Sequence, residues 1–407
     1  MKLPDGWNID YLDNVTKRGS GHTPNQKYSE YWNGGIKWVS LADSSLLDKR
    51  FIICTAKEIS EEGLNNSSAV LHPKGTVLMS RDAGVGKSSI MGCDMAVSQH
   101  FITWDCKSKN IINNLFLYYW LQAKKGYFER QAVGSTIKTI GLPLFKKLKL
   151  PYPPLSEQKA IADLLSTWDE AIEKTERLIQ AKERNLKSQI QKIMGRQAIE
   201  TKGWSEVHLG ELFTEVTHKV GEKELTPYSI SAGIGFVSQR EKWGKNISGS
   251  QHKNYIHLKT GEFSYNKGNS KRYQQGCIYL LKEGEICVPN VFISFKPKNK
   301  NVVPEFFEHY FIADYHAREL KRYITSGARS DGLLNLNKKD FFKIKVPCPS
   351  PYEQKAIAEA LTALQHEIDL LKQLAEKYKA QKRGLMQKML TGEWRMKPEI
   401  INQYTEA

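Results

Sequence analysis

Glu157–Ala162 reads EQKAIA, and Glu353–Ala358 reads EQKAIA again, about 196 residues later. The duplication is wider than six residues. Phe145–Pro153 (FKKLKLPYP) matches Phe341–Pro349 (FFKIKVPCP) in register, and Gln191-Lys192 matches Gln387-Lys388. Over this stretch of about 50 residues, roughly a third of positions are identical without a gap. Weaker echoes lie upstream. Gly6-Trp7 precedes Leu12 as Gly203-Trp204 precedes Leu209, and Gly75–Arg81 (GTVLMSR) resembles Gly261–Lys267 (GEFSYNK). Gly134-Ser135 and Gly327-Ala328 stand at similar distances before each FK-rich segment. A chain that repeats itself over half its length presents two related surfaces.

Each EQKAIA opens a helical pattern. In the first copy apolar residues fall at Ile161, Leu165, Trp168, Ile172, Ile179, Leu186 and Ile193. In the second they fall at Ile357, Leu361, Leu364, Ile368, Leu371, Ala375, Tyr378, Leu385 and Met389. Spacings alternate between four and three once Thr175, Lys182 and Gln189 fill the gaps in the first copy and Lys382 the gap in the second, a narrow stripe of period 3.5 that is the seam of a coiled coil. Ser350-Pro351-Tyr352-Glu353 reads as a capping box with Pro in the first turn, and Ser156 or Pro154 takes that part in the first copy. Neither interior holds a proline, and Gly195 and Gly392 mark the ends. Each helix is therefore about 40 residues, on the order of 60 Å. So thin a stripe on a lone helix is unstable in water, so the two are expected to pair. A globular domain between them permits an antiparallel pair.

The stretches before the helices are mixed. Gly75–Met79, Gly276–Leu281 and Val291–Phe295 read as strands, Leu115–Gln122 and Glu305–Leu320 as helices. The expected fold class is α+β: two globular domains, each followed by a long helix, in a pseudo-two-fold tandem repeat. The expected segments are a first domain at 1–150, a first helix at 151–198, a second domain at 199–347, a second helix at 348–392 and a tail at 393–407.

Formal charge is +16 and the basic residues are spread along the chain, which favours a polyanionic partner such as nucleic acid. Six cysteines form no CxxC pair and no zinc set, as expected of free thiols in a reducing, cytoplasmic setting. No signal core or run of ~20 apolar residues suggests a membrane. No GxSxG elbow, HExxH helix or deaminase signature occurs. The ten histidines, His100 among them, are scattered. Pro151-Tyr152-Pro153-Pro154 lacks the polar residue an adenine methyltransferase needs. Gly84-Val85-Gly86-Lys87-Ser88 is not a P-loop, because Arg81 stands where the first glycine belongs.

The loops that could read bases are Gly-rich and polar. One spans Arg81, Asp82, Lys87, Ser88 and Ser89. Its counterpart holds Lys267, Asn269, Ser270, Lys271 and Arg272. Ser135, Lys138 and Arg329 join them as expected DNA contacts. Cations pair with guanine edges, and amides and hydroxyls complement bases and phosphates. The residues expected to pack the helices are Ile161, Leu165, Trp168, Ile172, Ile179, Ile357, Leu361, Leu364, Ile368 and Leu371.

A strand–Pro-x-Pro–EQKAIA–helix block occurring twice, each time behind a domain of about 150 residues, resembles the specificity (S) subunit of type I restriction–modification systems. The resemblance covers nearly the whole chain, and its specific part is Phe145–Met194 with Phe341–Leu390. It implies two target recognition domains, each binding one half of a split, asymmetric sequence in double-stranded DNA. It implies that the helices fix the gap between the halves and dock methyltransferase (M) subunits, two in number. Restriction (R) subunits would join these. It implies no catalysis and no cofactor on this chain, with S-adenosylmethionine, Mg and ATP held by partner subunits. A coiled-coil adaptor for an acidic protein is a competing reading. A self-contained methyltransferase or nuclease is a third, opposed by the missing motifs.

Overall fold

The computed structural model describes residues 3–245, 249–268, 270–324 and 333–405. The chain folds as two compact units, Met1–Glu176 with Leu374–Ala407, and Arg177–Gln373. Compactness thus does not follow the linear segments: each unit takes one globular region and half of each long helix.

In the first unit a five-stranded sheet runs in the order Lys17–Ser20, Phe101–Asp105, Val77–Ser80, Ser88–Met91, Phe51–Ile52. Its pairs are antiparallel except the last. Val77–Ser80 and Ser88–Met91 are buried at every position, which is why they read as continuous rather than alternating runs. Gly75, at φ 90°, turns the chain into Val77–Ser80. The equivalent Gly261 sits at φ 83°, in the left-handed region that favours glycine. Trp104, Phe116, Phe145 and Leu150 share one core with Ile161 and Leu165 of the first long helix, Met386 and Met389 of the second, and Leu390 just past its end.

The second unit repeats this plan. Four antiparallel strands run in the order Phe213–Glu215, Ile293–Pro297, Phe263–Asn266, Cys277–Leu280. In each unit the segment before EQKAIA pairs with the segment after the Gly-Trp. Asn8–Tyr11 lies against Lys149–Tyr152, and Ser205–His208 against Lys345–Cys348. The expected helix over Glu305–Leu320 is instead two helices, Pro304–Ile312 and Ala317–Lys321. Asp314 between them has φ 64°, which an α-helix does not accommodate.

The glutamine of each EQKAIA explains part of the duplication. Gln158 is buried; its Oε1 accepts from Asn113 N at 2.9 Å and its Nε2 donates to Pro153 O at 2.8 Å. Gln354 is buried likewise, accepting from Val303 N at 2.9 Å and donating to Pro349 O at 2.9 Å. Each amide ties the start of a long helix to the start of a helix of its domain, Asn114–Ala123 or Pro304–Ile312. About two turns further along, Tyr119 bonds Ser166 and His309 bonds Thr362, both at 3.1 Å.

The glutamates have diverged. Glu353 forms the expected capping box with Ser350 and accepts from Trp204 Nε1 at 3.2 Å. These hydrogen bonds hold its carboxyl below the ordinary range. In the first copy Pro154 stands where Ser350 does, so Glu157 has no box to close. It is buried and receives Arg395 from the C-terminal segment, Nε and Nη2 each donating at 2.8 Å.

The long helices run Leu155–Met194 and Pro351–Met389, and within each unit their halves pack antiparallel. Ile161, Leu165, Ile172, Ile179, Leu361 and Ile368 are buried; Trp168, Ile357, Leu364 and Leu371 are half-buried. In the first unit Trp168 meets the Tyr378 ring edge-on at 5.7 Å, Asp169 pairs with Lys382, and Glu176 pairs with Lys379 at 2.8 Å. In the second, Lys182 pairs with Glu367 and Glu183 with Lys372, at 2.8 and 2.6 Å. Lys182 and Lys382 occupy two of the positions where the apolar stripe is interrupted. Their charged ends reach carboxylates of the opposite helix.

Candidate nucleic-acid interface

In the first unit the loop after Val77–Ser80 is a tight turn. Ser80 N donates to Lys87 O at 2.8 Å and Gly86 N to Ser80 O at 3.0 Å. A second loop crosses it: residues 133 and 139 exchange two backbone hydrogen bonds, and Ile140 N donates to Arg81 O at 2.9 Å. Gly134 makes this crossing loop possible, since its φ is 127° and a Cβ there would lie 2.2 Å from Ile137 O. Residues 133–138 are all exposed, so Ser135 and Lys138 lie open to solvent on the loop that crosses at Arg81.

The second unit builds the same crossing. Asp82 bridges to Thr139 in one unit and Gly268 to Leu333 in the other. Leu334 N donates to Lys267 O at 3.0 Å, matching Ile140 on Arg81. Ser270 closes a turn by accepting from Tyr273 N at 3.0 Å, and Tyr273 OH anchors that turn to Ile312 O at 3.2 Å. Lys271 and Arg272 are exposed on the turn, and Lys267 and Ser270 are partly so. Asn269 and Arg329 lie outside the described residues. Two scaffolds with one topology thus carry different side chains at the same crossing.

Several expected contacts are withdrawn by burial. Ser88 and Ser89 have no exposed surface. Ser88 Oγ accepts from Gln122 at 2.9 Å and Ser89 Oγ donates to Lys49 O at 2.9 Å. They open the strand Ser88–Met91, which is buried at every position. Lys87 is drawn back by Ser44, donating to its carbonyl at 3.1 Å and its hydroxyl at 3.2 Å. Asp82 is 7% exposed and holds His100, whose Nδ1 lies 2.7 Å from Oδ2. Exposed or partly exposed are Arg81, Ser135, Lys138, Lys267, Ser270, Lys271 and Arg272. Sequence spacing gave no sign of His100, which reaches the loop from a neighbouring turn through a contact 18 positions away.

Charge in the second crossing is uneven. Asp314, near Arg272, is half-buried, and burial raises its carboxyl to about 6 against the opposing pull of Arg272. His316 beside it is fully buried, and burial lowers its imidazole to about 3, so it is neutral. Among the described residues no cluster of His, Cys, Asp and Glu could hold a metal ion, and no helix is long and apolar enough to cross a membrane.

The model of the type I restriction modification DNA specificity domain matches this chain twice, over residues 4–183 and 201–380. The chain belongs to the type I restriction–modification specificity subunits. Each match takes in one recognition domain and most of the long helix that follows, so the internal duplication is the family's own. Relatives agree. The type I restriction enzyme MjaVIII specificity subunit of Methanocaldococcus jannaschii is 24% identical over 98% of this chain and 95% of its own. The MjaIX specificity subunit of the same organism is 29% identical over 42% of this chain and 40% of its own.

Among solved structures, the S subunit of a type I system from M. genitalium shares the fold. Its TM-score is 0.57 at 19% identity, covering 96% of this chain and 98% of that one. A chain from a study of assembly and conformational transition in a type I system gives 0.58 at 14%, covering 97% and 100%. A specificity subunit is the non-catalytic, DNA-recognising component of its system, and this one has two recognition domains.

Proposed function

We propose that this subunit binds a bipartite, asymmetric duplex sequence, one half per recognition domain, and carries two methyltransferase subunits on its long helices. The observation behind the proposal is the loop crossing built twice on one scaffold with unlike side chains. Arg81, Ser135 and Lys138 stand at one crossing; Lys267, Ser270, Lys271 and Arg272 stand at the other. Like scaffolds with unlike tips suit two different half-sites. The net charge of +16 supplies affinity for phosphates without regard to sequence.

Uninterrupted helices of 40 and 39 residues give the gap between half-sites a fixed length. Paired docking is supported by Leu178 and Leu374. They occupy the same position in the two repeats and are 44% and 37% exposed, with the exposed Leu370 one turn before Leu374. Two like anchors suit two like partners. S-adenosylmethionine belongs to those partners, and Mg and ATP to restriction subunits that join them.

The test is the methylome of the host with and without this gene. A two-part motif with a fixed gap should vanish in the deletion strain. No lost motif would refute the proposal and leave the adaptor reading in its place.

A further inference from the structure

We infer that His100, Asp82 and Arg81 form one reading head of the first recognition domain, in which Asp82 never touches DNA but aims the other two at a G·C pair. The inference rests on the DNA-binding role proposed above and adds a residue and a base-pair class to it.

Asp82 is too enclosed to meet a base. One carboxylate oxygen, Oδ2, accepts from Nδ1 of His100 at 2.7 Å. The other, Oδ1, lies 3.7 Å from Nε of Arg81, and neither of those two atoms has a hydrogen-bond partner. A buried carboxylate with one oxygen committed and one facing a guanidinium orients both neighbours at once. Backbone geometry reinforces this, because Arg81 N donates to His100 O at 2.9 Å. The two side chains therefore leave one small patch, bordered by the loop that carries Ser135 and Lys138.

The polarity of the patch follows from the carboxylate. A carboxylate only accepts, so Nδ1 of His100 carries a proton, and in the tautomer this selects Nε2 is the acceptor. The side chain of His100 is 34% exposed, and that of Arg81 is 20% exposed. The head thus offers guanidinium donors next to an imidazole acceptor. In the major groove a G·C pair presents two acceptors on guanine, N7 and O6, and one donor on cytosine, the N4 amino group. Arg81 complements the first two and His100 the third. An A·T pair offers its donor and acceptors in another order and leaves one member of the head unmatched.

The experiment compares methylation motifs made by the specificity–methyltransferase complex with wild-type chain, His100→Ala, His100→Gln and Asp82→Ala. Wild type should show a G·C pair in one half-site. His100→Ala should relax that position by about tenfold or more while the other half-site is unchanged. Asp82→Ala should relax it too, although it removes no contact. His100→Gln retains an acceptor and should keep more discrimination than alanine.

An unchanged motif in His100→Ala overturns the inference. So does a wild-type motif whose variant-sensitive position is not G·C. Loss of all methylation in both His100 variants also overturns it, since that marks a purely structural histidine. Absence of any two-part motif in wild type is a different result, and it refutes the DNA-binding proposal itself.

Discussion

Replacing Arg395 with alanine should loosen the C-terminal segment from the first unit. The guanidinium makes three hydrogen bonds: two to Glu157 at 2.8 Å and one from Nη1 to Asp5 O at 2.7 Å. The Glu157 side chain is 2% exposed and that of Arg395 is 39% exposed. Removing one partner of a fully buried ion pair costs about 3–5 kcal/mol, because the other charge is left uncompensated. Here the guanidinium borders water, which would reach the carboxylate once it is gone, so about 2 kcal/mol is the better expectation. That corresponds to about a thirtyfold rise in the opening equilibrium.

Native-state amide exchange of residues 391–405 in the intact chain reads this opening without assuming that 407 residues unfold in one step. Glu157→Gln should partly rescue Arg395→Ala, since the buried group is then neutral. Exchange unchanged within a few-fold would refute the reasoning. So would single effects that add within about 0.5 kcal/mol in the double variant, because partners in one buried pair must couple.

Three further outcomes follow from other contacts. Glu176 and Lys372 occupy equivalent repeat positions, as do Glu183 and Lys379, so charges alternate between the helices. Reversing both glutamates to lysine should lower the melting temperature, at about 1–2 kcal/mol for two exposed pairs turned repulsive. Reversing both lysines to glutamate in the same chain should restore it, and failure to restore would refute the pairing. Asp314→Asn should stabilise the second unit by an amount that grows from about pH 4 to about pH 6 and is full above that. The folded carboxyl, at about 6, sits above its ordinary value, so stability is full below about 4 and lost as pH rises through 6. Asparagine escapes that loss by about 1–2 kcal/mol after allowance for the partial exposure of the side chain, and an equal gain at pH 4 in a thermal melt would contradict this. Leu178→Glu should reduce the methyltransferase to specificity-subunit ratio from two to one, as mass measurement of the purified complex would show. A ratio left at two would remove that leucine from the docking face.

What could be read from the chain was what depends on near neighbours. A stripe such as Ile161, Leu165, Trp168 and Ile172 repeats every 3.5 residues because one helix face must be dry, and burial follows that pattern closely. The capping box at Ser350 and the glycine-led strands at Gly75 and Gly261 are local for the same reason. The recognition tips were harder, because partners distant in sequence decide them. Lys87 looks like a free cation until Ser44, 43 positions away, draws it in. Asp82 looks like a contact until His100 takes its oxygen. Ser88 and Ser89 look like loop residues, yet the strand Ser88–Met91 begins with them. The weak cap of the first long helix likewise has its reason far off, in Arg395, 238 positions beyond Glu157.

The claim on which the account depends is that helix length sets the DNA gap. Inserting one heptad into each long helix keeps the apolar stripe in phase. It lengthens the pair by about 10 Å, or about three base pairs at 3.4 Å each. Sequencing the methylated motif of a host carrying this variant should show both half-sites intact and the gap longer by about three. Intact half-sites with the original gap would contradict the account.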